Sequence, residues 1–458
     1  MSLDMTMNIL IVDDSGTMRM MCKKMLKEGG FENLFTAVNG VDAQSKLQEH
    51  EIDLIISDWN MPGMDGLELL QWLRREEKYK DIPFIMATAQ ADKTQQKKIM
   101  DEGGDNHIAK PFDSKQLKDN ILETFGLKKG RETEKRIRKA VNGKVQMKVG
   151  HIQITDHLIL GVLKHQIETG EVTPQYFELE ALCLPGWNPV QELLEKGDVD
   201  AAFILAPIAM DLYAFDIPIK LILLAHKNGS IFVRNKKIDI DDYGSLKKFY
   251  KYKVVDIPHK MSIHNMLAYK YLKELGLKPG VPGKKAINVR FEVVPPIKMP
   301  EIMKANEDIG GFIVAEPIGS NAISKGIAEL EFFSSSIWQD HPCCVTAMRD
   351  DFIAEHPDAV YEFTSLLVKA GKFVKQNPEK AAEIAVAFLD PDKVLGLSSN
   401  ILKNVLEAPQ GITMDNLYPV LEDLDTIQRY MKEQMGIGCL IDVEKFVDLR
   451  FADEACGD

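Results

Sequence analysis

A chain of 458 residues is too long for one core and implies about two or three domains. Its 45% hydrophobic and 27% charged residues are the makeup of a globular protein, and a net charge of -13 argues against general nucleic-acid binding. No apolar run is long enough to cross a bilayer, the N-terminus lacks the basic start of a secretory signal, and the six cysteines show no CxxC or zinc spacing, so a cytoplasmic protein with reduced thiols and no membrane partner is expected.

From residue 4 to 127 short apolar runs alternate with amphipathic stretches. The expected strands are 9–12, 34–38, 54–57, 84–87 and 107–109. Helical patterns lie at 17–27, 41–49, 67–76, 93–101 and 114–125. Such alternation predicts an α/β domain, a five-stranded doubly wound parallel sheet with helices on both faces. The active cleft of such a sheet lies beyond the carboxyl ends of its strands. Asp13, Asp14, Asp58, Thr88 and Lys110 fall there. Three gathered carboxylates repel one another, and a hard divalent cation such as Mg²⁺ relieves that repulsion. One carboxylate is then free to attack a phosphoryl group, with Lys110 and the Thr88 hydroxyl stabilising its oxygens. Taken alone, Asp13 and Asp14 also read as a helix cap, and "DWNMPG" as a polar turn.

The segments "ILIVDDSGTMRMMCKKML", "ISDWNMPGMDGLELL", "MATAQAD" and "HIAKPF" resemble the response-regulator receiver of the chemotaxis type, a flavodoxin-like fold. The resemblance implies that Asp58 is the phospho-acceptor. It implies Mg²⁺ held by Asp13, Asp14, Asp58 and the Asn60 carbonyl, and phosphoryl contacts from Thr88 and Lys110. It further implies a cis Lys110–Pro111 bond and a histidine kinase or phosphotransfer protein as partner. One departure stands out. The family's aromatic switch position, usually Tyr or Phe, carries His107, which implies a switch that is either altered in its coupling or pH-sensitive.

Residues 128–145 are polar and basic, within "LKKGRETEKRIRKAVNGK". They read as a DNA-binding tail or as a solvated helical linker. The linker is preferred, because no recognition helix or interleaved aromatics follow.

A new α/β pattern runs from 146 to 458. Strand-like segments ("VQMKVGHIQI", "YFELEALCL", "VDAAFILAP") alternate with helical ones ("TDHLILGVLKHQIE", "NPVQELLEKGD"). "IKLILLAHKNGSIFVRN" leaves this first lobe, a second lobe repeats the theme, and "HPCCVTAMRDDF" returns to the first. Two lobes joined by crossover strands predict a ligand cleft. These pieces resemble the type II periplasmic-binding-protein fold, in its nitrate/sulfonate/bicarbonate subgroup that includes thiamine-pyrimidine-precursor proteins. "GHIQITDH", "GWNPVQELLEKGDVDAAFILAP", "AHKNG", "PHKMSIHNMLAYKYL", "VAEPIGSNAISKG" and "IWQDHPCCVTAMRDDF" carry the resemblance.

Several of these motifs place a turn ahead of a helix, where backbone amides favour anions. Thr155, Asp156, His157, Ser262, His264 and Glu316 are therefore cleft candidates. Trp187 would cover a flat ligand, while Ala206, Pro207, Asn228 and Gly229 would approach it with backbone. Trp338 and His341 belong to a motif in which nitrate-binding relatives place a lysine, absent here. With Asp156 and Glu316 nearby, a small organic acid, an amine or a pyrimidine-like ring competes with an inorganic anion. Each residue also has a plainer role: a helix cap, a structural histidine, a packed tryptophan.

The expectation is a phosphorylated response regulator whose second domain senses a small polar metabolite or anion in the cytoplasm. Self-catalysed phosphoryl transfer is the most chemistry expected of it. An enzyme of the thiamine-precursor type is the alternative, and a ligand-free scaffold another. The cysteine-rich iron motif of such enzymes is absent, Cys343 and Cys344 read as packed thiols, and no cofactor is expected in the second domain.

Overall fold

The computed structural model describes residues 5–88, 93–110, 112, 114–125, 140–141, 143–281 and 286–457. The chain divides into two compact units between Glu134 and Lys135. None of the described helices is long and apolar enough to cross a membrane.

The first unit alternates strand and helix: β1 (Ile9–Val12), α1 (Gly16–Glu28), β2 (Leu34–Ala37), α2 (Gly40–Glu49), β3 (Leu54–Asp58), α3 (Gly66–Arg75), β4 (Phe84–Thr88), α4 (Lys93–Asp101), β5 (Asn106–Ala109) and α5 (Ser114–Thr124). The strands are all parallel, in the order β2-β1-β3-β4-β5. The order reverses between β1 and β3, which opens a crevice beyond their carboxyl ends. Side chains alternate across the sheet. Leu10, Val12, Ile55, Phe84 and Met86 enter one core layer, and Ile9, Ile11, Leu54, Ile56 and Ile85 the other. Helix α3 starts with a reciprocal capping box between Asp65 and Glu68.

The second unit opens with a hairpin, not with a linker reaching residue 145. Strand β6 (Ala140–Val141) pairs antiparallel with the start of β7 (Lys144–His151), and Gly143 turns at φ +82°. The expected helical linker otherwise falls on 126–139, outside the described residues. The strands that follow are β8 (Phe177–Cys183), β9 (Ala201–Leu205), β10 (Ile219–Leu224), β11 (Ser230–Asn235), β12 (Val254–Ile257), β13 (Pro279–Gly280), β14 (Val289–Val293), β15 (Ile309–Ala315), β16 (Ala328–Phe333) and β17 (Cys344–Arg349).

They form two sheets. The first lobe orders β10-β17-β9-β7-β6, with β8 on β7, and the second orders β13-β14-β12-β15-β11-β16. The chain crosses between lobes twice, from β10 to β11 and from β16 back to β17. Both crossings fall where the hydrophobic pattern placed them. The C-terminal third is mostly helical. Its helices Pro357–Gln376 and Pro378–Leu389 pack on α6 (Leu158–Glu168) of the first lobe. Helix Leu421–Tyr430 touches both Ala206–Ala214 of the first lobe and Ile263–Glu274 of the second. One large apolar core runs through the first lobe and into the second.

Candidate functional site

In the first unit Asp13, Asp14 and Asp58 offer carboxylate oxygens that lie within 4.8 Å of one another. Asp13 is buried, Asp58 half-buried and Asp14 exposed. Lys110 Nζ sits 2.5 Å from Asp13 Oδ2 and 2.9 Å from Asp58 Oδ1. Burial lifts the Asp58 carboxyl above its ordinary range, although Lys110 pulls the other way. Burial also opposes the Lys110 charge, yet Asp58 and Asp13 outweigh it and hold the lysine above its usual value. An all-oxygen donor set with one exposed member suits Mg²⁺, which keeps part of its water shell. Helix α1 is capped by Ser15, whose Oγ accepts from the Met18 amide, so the aspartates are not its cap.

Two backbone features fix this crevice. The Lys110 amide donates to the carbonyl of buried Thr88 at 2.7 Å. The Gly66 amide donates to the Trp59 carbonyl at 2.9 Å, and a Cβ on Gly66 would stand 2.1 Å from the Asp58 carbonyl oxygen. Asn60 is exposed in the turn between them. His107 lies half-buried on β5, its carbonyl accepting from Asn120 Nδ2 of α5 at 2.8 Å. The Lys110–Pro111 bond falls outside the described residues.

In the second unit the expected cleft residues gather where the lobes meet. The Thr155 amide and hydroxyl both donate to the Glu316 carbonyl, at 2.9 and 2.7 Å, tying first lobe to second. Asp156 is fully buried and faces His226 Nε2 at 3.0 Å. The thiols of Cys343 and Cys344 approach the same carboxylate oxygen at 3.8 and 3.4 Å. Burial disfavours both charges of the Asp156–His226 pair. Their mutual attraction prevails, and His226 is pushed up to about 10 while Asp156 falls below its usual range. The other buried imidazoles have no such partner strong enough. Burial drives His264 down to about 4 and His157 and His341 to about 3, so all three are neutral at physiological pH.

Several polar atoms here have no hydrogen-bond partner among the described residues: His157 Nε2, His264 Nδ1, His341 Nε2, Trp187 Nε1 and Asp156 Oδ1. Orphaned buried polar atoms cost roughly 1–3 kcal/mol each, and water or a ligand relieves that cost.

The sequence profile of the NMT1-like family matches residues 141–389, and that of the response regulator receiver domain matches 9–122. The chemotaxis protein CheY-3 of Vibrio cholerae is 39% identical over 123 residues, covering 27% of this chain and 95% of that protein. The chain joins a response-regulator receiver to a member of the NMT1-like family. Two solved structures share the fold of the second part. A zinc-bound ligand-binding component of an ABC-type import system from Staphylococcus aureus is 21% identical, with a TM-score of 0.59 over 68% of this chain and 98% of its own. The nitrate-binding protein NrtA from Synechocystis is 18% identical, with a TM-score of 0.58 over 68% and 88%. The type II periplasmic-binding-protein fold is thereby shown.

Within this NMT1-like domain some expected roles change. Neither Thr155 nor Asp156 caps the following helix, since their side chains point to Glu316 and His226. Ser262 is a true cap, its Oγ accepting from the Asn265 amide, while His264 bonds Ser230 Oγ at 3.0 Å. The amides of Ala206 and Asn228 are taken by the carbonyls of Cys343 and His341, Pro207 occupies the first turn of its helix, and Gly229 packs against Ile412. Those four therefore shape the wall without spare backbone donors at Ala206 and Asn228. Trp187 is 3% exposed and stands edge-on to His157, with ring centroids 5.6 Å apart. The Glu316 carboxylate accepts from the Ser320 amide and hydroxyl, and burial lifts it to about 7. Trp338 is half-buried, tilted against His341 at 6.1 Å. Sequence reasoning assigns no site role to His226. It lies in the quoted "AHKNG", just past a strand end, which was its available signal.

Proposed function

We propose that the protein is a two-component response regulator phosphorylated on Asp58, whose NMT1-like domain binds a small polar ligand between its lobes. The observation that carries the first half is the Asp58 carboxylate at the end of β3, 2.9 Å from Lys110 and grouped with two further carboxylates. Mg²⁺ held by Asp13, Asp14, Asp58 and the Asn60 carbonyl would neutralise the developing phosphoryl charge. Lys110 and Thr88 then orient the phosphoryl oxygens, and a histidine kinase or phosphotransfer protein is the donor in a cytoplasmic setting. Incubation with Mg²⁺ and a small phosphodonor should add one phosphoryl group per chain, and Asp58→Ala should take none. Equal labelling of that variant refutes the assignment.

The second half rests on the orphaned polar atoms buried where the lobes meet. Proteins of this fold are named for nitrate or for an import ligand, which supports a binding role over catalysis. A panel of anions, organic acids and pyrimidines should contain a compound that raises the melting temperature by mass action, less so for Trp187→Ala. A panel without effect favours a ligand-free scaffold. Phosphorylation and ligand then bias each other reciprocally, with couplings of about 1–3 kcal/mol typical of such linkage. Calorimetry with and without beryllofluoride reads that coupling, and identical affinities mean the two domains are only tethered.

A further inference from the structure

Phosphorylation and small-ligand binding leave His226, Cys343 and Cys344, three members of one buried cluster, without a role. Asp156, His226, Cys343 and Cys344 are each 0% exposed, and each offers an oxygen, nitrogen or sulfur atom within 4.8 Å of the others. We propose that these four side chains form a tetrahedral site for a thiophilic divalent cation of the zinc class.

The donor chemistry selects the ion. Two thiols, an imidazole and a carboxylate suit Zn²⁺, whereas Mg²⁺ and Ca²⁺ take oxygen. The spacing fits as well. Three edges of the cluster measure 3.0, 3.4 and 3.8 Å, from Asp156 Oδ2 to His226 Nε2, Cys344 Sγ and Cys343 Sγ. Zinc bonds of about 2.0–2.3 Å arranged tetrahedrally give edges of about 3.3–3.8 Å, so the two oxygen–sulfur edges match and the oxygen–nitrogen edge would open by about 0.3 Å on binding.

The donors are also held in advance. Strand β17 lies between β10 and β9. The Ala225 amide donates to the Cys344 carbonyl, and the Ala206 amide to the Cys343 carbonyl, both at 2.9 Å. Both cysteines are thus pinned to neighbouring strands, with His226 one residue beyond Ala225. Asp156 comes from the turn after β7.

Protein groups alone satisfy this cluster poorly. His226 Nε2 faces Asp156 Oδ2 at 3.0 Å and the Cys344 amide nitrogen at 3.3 Å. One ring nitrogen cannot donate to a carboxylate and accept from an amide together. Both thiols converge on the carboxylate oxygen that His226 already faces, while Asp156 Oδ1, fully buried, has no hydrogen-bond partner among the described residues. A cation relieves the crowding at Asp156 Oδ2, because all four groups then present lone pairs to one centre, and it leaves the Cys344 amide to another acceptor. Binding releases the imidazolium proton and both thiol protons. The bound state is a dication with two thiolates, one carboxylate and a neutral imidazole. The inference is independent of the phosphorylation reading, shares only Asp156 with the small-ligand reading, and departs from the expectation of packed thiols.

Co²⁺ is the probe, added to the full chain stripped of metal and kept in excess Mg²⁺ to fill oxygen-only sites. One equivalent should produce a thiolate-to-cobalt charge-transfer band, and Zn²⁺ should abolish it by displacement. Asp58→Ala should keep the band, since the receiver carboxylates include no sulfur. Cys343→Ser and Cys344→Ser should each weaken Co²⁺ binding by more than about 100-fold, beyond the loss expected from an outer-shell change. His226→Gln and Asp156→Asn, which spare both thiols, guard against misfolding of the serine variants and should also shift the band and weaken binding. No thiolate band in the wild type, or a band unchanged by all four substitutions, overturns the proposal.

Discussion

Asp256→Asn should stabilise the NMT1-like domain, and by an amount that grows with pH. Asp256 lies on β12, 0% exposed, and neither of its carboxylate oxygens has a hydrogen-bond partner among the described residues. Burial, with help from Glu292 paired across the strands, lifts its pKa from 3.8 to about 8 despite Arg290. The acid is therefore largely protonated in the fold at pH 7 and ionised once unfolded. The sign follows from linkage. A carboxyl raised in the fold costs nothing below its unfolded pKa, costs more as pH rises from about 4 to 8, and levels off above. At about 1.36 kcal/mol for each pH unit above the unfolded pKa, the cost is about 2 kcal/mol at pH 5 and about 4 kcal/mol at pH 7. Asparagine keeps the shape and cannot ionise. Urea melts at pH 5, 7 and 9 check this, in a Trp59→Phe, Trp72→Phe background where Trp187 and Trp338 report on the second unit. A variant less stable than its parent at pH 7, or a difference that does not grow from pH 5 to 9, refutes the reasoning.

Gly66→Ala should destabilise the receiver by at least about 1–3 kcal/mol, the usual cost of overpacking, because its Cβ would meet the Asp58 carbonyl at 2.1 Å. Urea melts and phosphoryl labelling should both show the loss. Thr155→Val removes the hydroxyl bond to the Glu316 carbonyl but keeps the amide bond. This contact between the lobes should lose about 1 kcal/mol, roughly fivefold, read as faster hydrogen exchange of the amide at position 155. Burial keeps His264 neutral down to about pH 4 from an ordinary value of 6.5, so its contribution is present above 6.5 and lost as pH falls toward 4. His264→Gln should flatten that part of the acid melt between pH 6.5 and 4, and an unchanged profile counts against a neutral buried ring.

The receiver was legible because its chemistry follows a local rule. Each strand is a short buried run, and each reactive residue sits where such a run stops. The expected strands stop one residue short of Asp58 and Thr88, which are still paired in the ladder with Ala87 and Ala109. Backbone pairing does not depend on side-chain polarity, so a polar residue can close a strand without leaving it. In the second domain the crossover strands were legible for the same reason. The role of Thr155 was not. Capping logic looks three residues ahead, whereas its hydroxyl reaches a carbonyl 161 residues away.

The buried donor cluster was illegible for a related reason. Spacing rules for metal sites count cysteines and histidines within one short loop. Here the donors stand at 156, 226, 343 and 344, and no spacing unites them. Topology does. Strand β9 runs parallel to β7, and β17 runs antiparallel to both β9 and β10. The carboxyl ends of β7 and β10 and the start of β17 therefore share one edge of the sheet. Asp156, His226 and the two cysteines follow or occupy those three points. The rule that located Asp58, chemistry at the carboxyl edge of a wound sheet, also holds here. It becomes usable in a mixed sheet only after the antiparallel return strand is recognised, because that strand brings its beginning, rather than its end, to the reactive edge.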